Sequence, residues 1–218
     1  SSSGRAPSGG KNCGTSDFVG ISIDTRLGNG AQIGGGFDTG VTNINSCYVV
    51  DSPQNLLNCN TQIGTEAHNN FKMFGSFPLP GDFSLSGSFR SVAGRPIDAD
   101  WRAPNSVIAG SLGRNLSACG SKSFAKCTSV TSIPLIPPYS MFLDRRNMLD
   151  VRFSKALNIG GARLTANFDV YNALNGNQIL GVNERYGANW LTPAAQQNNE
   201  VDAILAGRLI HLGGGIEF

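Results

Sequence analysis

Charge is scarce in this sequence. Asp, Glu, Lys and Arg make up 15% of the 218 residues, against roughly a quarter in ordinary soluble domains. The 17 basic and 15 acidic residues leave a formal net charge of only +2. That is no electrostatic footprint for a nucleic-acid binder, and no nucleic-acid partner is expected. Histidine is scarcer still: only His68 and His211 are present, and no Cys-x-x-Cys pair accompanies them, so no metal site is expected. No apolar run approaches the roughly 18 residues that a membrane-crossing helix needs. Residues 1–10 (SSSGRAPSGG) hold neither an initiating Met nor the apolar stretch of a signal peptide. The chain is therefore expected to be a piece of a longer one.

Motifs for chemistry are missing too. Gly28-Asn29-Gly30 lacks the glycine spacing of a dinucleotide loop, and Gly9-Gly10-Lys11 lacks both the distant first glycine and the following Ser or Thr of a P-loop. Asp98 and Asp100 lie two apart with no base partner near them in the sequence. Asn115-Leu116-Ser117 is a glycosylation triplet of the kind that chance supplies often. Neither an enzymatic activity nor a cofactor is expected.

What the chain has is 28 Gly and 10 Pro beside many Ser and Asn, with 40% hydrophobic residues, which is too apolar for a disordered polymer. The hydrophobic residues fall into seven stretches of period two. Val19, Ile21, Ile23 and Leu27 oppose Gly20, Ser22, Asp24 and Arg26. Ala31, Ile33, Phe37 and Val41 oppose Gln32, Gly34, Gly36, Asp38 and Thr42. Phe71, Met73 and Phe77 oppose Asn70, Lys72 and Ser76, with Phe74 as the exception. Phe83, Leu85 and Phe89 alternate with Ser84, Ser86, Ser88 and Arg90.

Beyond a long gap, Leu149, Val151 and Phe153 alternate with Asp150, Arg152 and Ser154. Leu164, Ala166, Phe168 and Val170 alternate with Arg163, Thr165, Asn167, Asp169 and Tyr171. A last stretch runs from Ile204 to Phe218, where Leu205, Arg208 and Leu209 break the pattern and predict a bulge or register change.

The connections alternate as well. Gly28-Asn29-Gly30, Pro78-Leu79-Pro80-Gly81-Asp82 and Asn158-Ile159-Gly160-Gly161 are short turns, whereas residues 43–67, 102–148 and 175–202 are long connections. Outer-membrane barrels have this asymmetry, with short periplasmic turns and long external loops. A soluble β-sandwich also alternates, but it has no reason to gather long loops at one end, and loops above about 15 residues are uncommon in compact domains. A sheet crossing lipid must close, because every backbone polar group needs a partner there.

On this reading Cys47 and Cys59, and Cys119 and Cys127, are disulfide candidates within external loops, and Cys13 is left over. Tyr48, Tyr139, Tyr186 and Trp190 in the loops are candidate stacking platforms for a sugar or another flat ligand, Trp190 equally a residue of the membrane girdle. Arg90, Asp150, Arg152, Asn167 and Asp169 face the lumen, as a solute path, a plug contact or a ladder of cross-strand pairs. Arg145 and Arg146 mark the rim.

The last third resembles the C-terminal barrel region of TonB-dependent outer-membrane receptors, the type with a carboxypeptidase-regulatory-like N-terminal domain. Residues 149–155 (LDVRFSK), 168–175 (FDVYNALN), 186–190 (YGANW) and 204–209 (ILAGRL), running to Phe218, carry the resemblance. Weaker similarity extends upstream through residues 26–30, 51–56, 77–80 and 111–116.

The resemblance implies an all-β fold: an antiparallel transmembrane β-barrel segment of about seven strands, part of a larger barrel of about 22 strands around a plug. Residues 1–16 are then the end of an extracellular loop and 17–218 the C-terminal barrel strands. It further implies uptake of a nutrient ligand, an oligosaccharide or similar, across the outer membrane of a Gram-negative bacterium. The implied partners are outer-membrane lipid, the missing upstream strands and plug, the TonB complex acting through that plug, and the barrel assembly machinery, with Phe218 as the assembly signal. The alternative reading is a self-contained small surface β-protein, either a passive barrel or a secreted β-sandwich binding module.

Overall fold

A computed structural model describes residues 13–47, 56–194 and 203–218. Its regular elements are β1 (Cys13–Arg26), β2 (Gln32–Asn45), β3 (Asn60–Ile63), β4 (Asn70–Leu79), β5 (Phe83–Val92), β6 (Asp100–Pro104), α1 (Asn105–Leu112), β7 (Val130–Pro134), β8 (Arg146–Ile159), β9 (Ala162–Tyr171) and β10 (Leu209–Glu217). The fold is all-β and antiparallel. The main sheet runs β1-β2-β4-β5-β8-β9-β10, with β3 added to β2, and β6 and β7 form a separate hairpin inside the β5–β8 connection. The sheet is open, with β1 and β10 at its two edges.

Alternation sets the register. Phe77, Leu85, Phe153, Phe168 and Leu212 stand opposite one another across five strands, and so do Ser76, Ser86, Arg152, Asp169 and His211 in the next row. A slip of one residue would exchange these two rows between faces. Phe74, the exception to the pattern, is on the polar face. It stands opposite Gly34, whose missing Cβ leaves room for the Phe74 ring. The short turns have the expected chemistry: Gly160 and Gly161 both have positive φ, 55° and 90°, the requirement of a two-residue type I′ hairpin.

Two boundaries differ from the sequence reading. β1 begins at Cys13 rather than after residue 16, because β2 continues to Asn45 and supplies its partner. The last strand begins at Leu209, while Ile204 instead bridges to Ile179. The stretch therefore needs no bulge: its irregular first half belongs to the connection.

The apolar face has nothing over it among the described residues. Ile21 is 66% exposed, Leu212 76% and Ile216 59%, values foreign to a core face. The buried apolar cluster lies instead in the β5–β8 connection, where Ala103, Ile108 and Leu116 pack around Cys119 and Cys127.

The exposed band runs obliquely to the strands. From the tip of the β1–β2 turn to that of the β8–β9 turn, the register advances by about 5.5 residues across four strand spacings. At about 3.3 Å per residue and 4.8 Å per strand, the strands incline by about 43° to the normal of the line of turns. The upper border descends the same way, about six residues from Val19 to Ile210 over six spacings, or about 35°.

Candidate functional site

Across β8, β9 and β10 the polar face carries a charged ladder. Arg152 forks onto Asp169, donating Nε to Oδ1 at 2.6 Å and Nη2 to Oδ2 at 2.9 Å, and His211 Nδ1 lies 3.1 Å from Oδ2. Arg90 Nη2 is 3.6 Å from Asp150 Oδ2, and Ser154 donates to Asn167 Oδ1 at 2.7 Å. Arg90, Asp150, Arg152, Asn167 and Asp169 thus share one face, each engaged by a neighbouring strand. Planar guanidinium against carboxylate is the geometry that fixes two strands in register. Beside the ladder, Ser76, Ser86 and Ser88 floor an open trough of about 410 Å³ between Phe74 and Tyr171.

Above the strands the connections are folded. The β5–β8 connection rises as a ribbon in which Leu143 donates its backbone N–H to Arg95 and Ile97 to Met141. At its tip α1 packs on the β6–β7 hairpin. Asn105, fully buried at the first turn of α1, donates Nδ2 to Asn115 Oδ1 and accepts the Leu116 N–H, each at 2.9 Å. Asn115 also donates Nδ2 to the Lys122 carbonyl, so the side chain of the glycosylation triplet is committed internally. Cys119 is bonded to Cys127, and Cys47 to Cys59. Arg145 reaches back to the Ser91 carbonyl.

The β9–β10 connection docks against this ribbon. Asp100 donates its N–H to the Glu184 carbonyl, Tyr186 donates to the Asp100 carbonyl, and Trp190 donates its indole N–H to the Asp98 carbonyl at 3.0 Å. The Tyr186 and Trp190 rings lie 6.1 Å apart. Two loop candidates are therefore brought together at a joint between loops. Tyr139, half-buried with φ of 60°, sits in the β7–β8 segment. Tyr48 lies outside the described residues, as does the side chain of Cys13. Phe218 follows β10 at the short-turn end, fully exposed.

Sequence reasoning missed two features of this region. One is Glu184, which joins Asp98 and Asp100: burial raises the Asp98 and Glu184 pKa values, and mutual repulsion adds to it, with Arg95 opposing the rise at Glu184. The other is the pair of feet of the β9–β10 connection. Asn172 donates Nδ2 to the Gly176 and Ala206 carbonyls, each at 2.8 Å, while Asn175 accepts the Arg208 N–H. Both Asn residues have positive φ, which Asn tolerates better than most residues. The 168–175 motif is thus the clamp of a loop root.

Among the described residues no group of three His, Cys, Asp or Glu is placed to hold a metal ion. What the arrangement offers is a polar sheet face beside long connections, two of which hold a disulfide. Comparison with known proteins finds no family model, no curated protein and no solved structure that matches the chain.

Proposed function

We propose that this chain is part of the wall of an outer-membrane β-barrel, the C-terminal portion of a TonB-dependent receptor that takes up a nutrient ligand such as an oligosaccharide. The observation that carries the membrane reading is the uncovered apolar band and its slope. The strands incline by about 35–45° to the normal of both borders of the band, the tilt of strands in a membrane barrel. Most strands contribute about nine residues to it, as β4 does from Phe71 to Leu79, close to what a tilted strand needs to cross the hydrocarbon. A half-sandwich would bury that face under a second sheet at about 10 Å, with no reason for its turns to step down in one direction.

The receptor assignment is supported by the residues of the resemblance and by where the loops gather. All three long connections leave from one end, two of them pinned by disulfides suited to an oxidising exterior. In this reading the chain supplies barrel wall and external loops. The ligand is drawn in by a plug elsewhere in the receptor, on which the energy-transducing complex of the inner membrane acts.

The test is a heat-modifiability gel on outer-membrane fractions, probed with an antibody against residues 102–148. The expected result is a band several times heavier than 22.9 kDa that shifts on boiling. A soluble band near 22.9 kDa would sink the reading and leave the small surface β-protein.

A further inference from the structure

Resting on the membrane reading, the apolar side of β4, β5 and β8 carries two features that fit one kind of molecule. The first lies one row beyond the apolar band. Ser91 on β5 stands opposite Asn147 on β8, next above the apolar pair Phe89 and Leu149. Ser91 Oγ donates to Asn147 Oδ1 at 2.7 Å and accepts Arg145 Nη1 at 3.3 Å, and the same Nη1 reaches the Ser91 carbonyl. The oxygens of the cluster are thereby engaged, whereas several donors are spare. Arg145 Nε and Nη2 and Asn147 Nδ2 make no hydrogen bond among the described residues. The ion pairs among those residues engage Lys72, Arg90, Arg152 and His211, and none engages Arg145. A guanidinium without a carboxylate, beside a spare amide donor, suits an anion, and its planar fork suits phosphate.

The second feature is a hollow in the band itself. Gly75 and Gly87 face each other across β4 and β5, and Met73, Phe77, Phe89, Leu149 and Val151 wall a depression of about 330 Å³ around them. A Cβ on Gly87 would have only the Asp150 carbonyl within 4 Å, so no side chain covers that part of the floor. Glycine inside a strand weakens it and marks a place where another group comes close. Two opposed glycines leave a seat for a slender apolar chain.

The hollow lies below the donor cluster on the same pair of strands. From Ser91 to Gly87 is four residues along β5, about 13 Å. One leaflet holds about 15 Å of hydrocarbon, so a single lipid reaches both.

We propose that the outer face of β4, β5 and β8 binds one phosphate-bearing acylated lipid of the outer leaflet, its phosphate on Arg145 and Asn147 and one acyl chain over Gly75 and Gly87. Bulk lipid wets the whole band. This place differs in having an anion-suited cluster directly above an apolar hollow. A zwitterionic head group brings its own ammonium and gains little from Arg145, whereas a phosphate monoester leaves its charge to the guanidinium.

Native mass spectrometry of the full receptor, purified from outer membranes and stripped of lipid, tests this by titration with diphosphoryl lipid A. The expected result is one tightly retained lipid A per receptor. Retention should weaken about fivefold or more in Arg145→Gln and in Val151→Phe, which fills the hollow, and stay unchanged in Arg208→Gln, a cation on β10 away from the hollow. Should Val151→Phe not assemble, Met73→Phe narrows the hollow from β4. Dephosphorylated lipid A should not be retained, and inorganic phosphate at about hundredfold excess should not displace the lipid, since it has the anion without the chain. Wild-type retention in Arg145→Gln or in the hollow-filling variant, an equal loss in Arg208→Gln, retention of the dephosphorylated lipid, or displacement by inorganic phosphate would overturn the inference. Absence of the receptor from the outer membrane would instead overturn the reading on which it rests.

Discussion

Single residues do two kinds of work here, and the sequence discloses only one kind. Which face a side chain occupies is legible from alternation: Arg90, Asp150, Arg152, Asn167 and Asp169 are all where period two puts them. What each one touches is not, because the Asp169 partners come from two other strands. Asn105 is the sharper case. Nothing in its neighbourhood marks it, yet it is buried with both ends of its amide used. Asn105→Ala leaves the Leu116 N–H unpaired, and a loss of about 1–3 kcal/mol is expected for such a buried orphan. Hydrogen exchange of residues 105–127 should accelerate about tenfold or more while the β4 and β5 amides stay unchanged.

Titration at the loop joint has a definite sign. Asp98 and Glu184 have pKa values raised in the folded state by burial and then by neighbouring carboxylates, with Arg95 opposing at Glu184. A raised carboxyl binds its proton more tightly folded than unfolded, so docking is strongest below the ordinary values of 3.8 and 4.5. It weakens as pH climbs from there to the raised values, then levels off. Proteolysis of residues 178–194 between pH 3.5 and 8, in the presence of a pH-tolerant protease, should show protection falling over that window. The variant carrying Asp98→Asn and Glu184→Gln should lose the dependence.

At the scale of elements, the seven long strands and the three tight turns were readable because period two and Gly-, Asn- and Pro-bearing turns are local signals. The contents of the long connections were not. β3, β6, β7 and α1 are short: β3 adds four residues to the edge of β2, and the hydrophobic residues of β6, β7 and α1 serve a small private core with no repeating face. The start of β10 was misread for a related reason: the Ile204 side of the stretch pairs with Ile179, a contact no local pattern announces. The lobe around that small core depends on its staple. Breaking Cys119–Cys127, which spans 8 residues, by Cys119→Ser with Cys127→Ser should cost the lobe about 2–3 kcal/mol. Trypsin should then cut at Lys122 and Lys126 in membranes where the intact form resists, with the β-sheet signature in circular dichroism unchanged.

At the scale of the whole molecule the two faces of the sheet should respond oppositely to the same change. Phe168→Arg puts a cation on the apolar band, and if lipid covers that band, as proposed, the cost near the bilayer midplane is about 2–4 kcal/mol. Ser86→Arg puts it on the polar face, where water or other wall side chains receive it. In outer-membrane fractions the first variant should lose most of its heat-modifiable band and the second should keep it. A soluble protein with Phe168 in its core would leave both variants out of the membrane, and membrane insertion of Phe168→Arg at normal levels would remove lipid from that face.

Alternation, turn residues and the lengths of connections did not disclose the short strands β3, β6 and β7, but they sufficed to determine the seven long strands, their two faces and the end at which the loops gather. All of these are properties of neighbours within a few residues. The stagger of the turns, the slope of the apolar band, the openness of the sheet and the shared direction of β1 and β10 came only from the tertiary structure. Register between strands, which sets them, is a relation among residues tens of positions apart. The joint of Asp98, Asp100, Glu184 and Trp190 belongs to the same class: it exists because two loops far apart in the chain leave neighbouring strand ends, and only the folded sheet makes those ends neighbours.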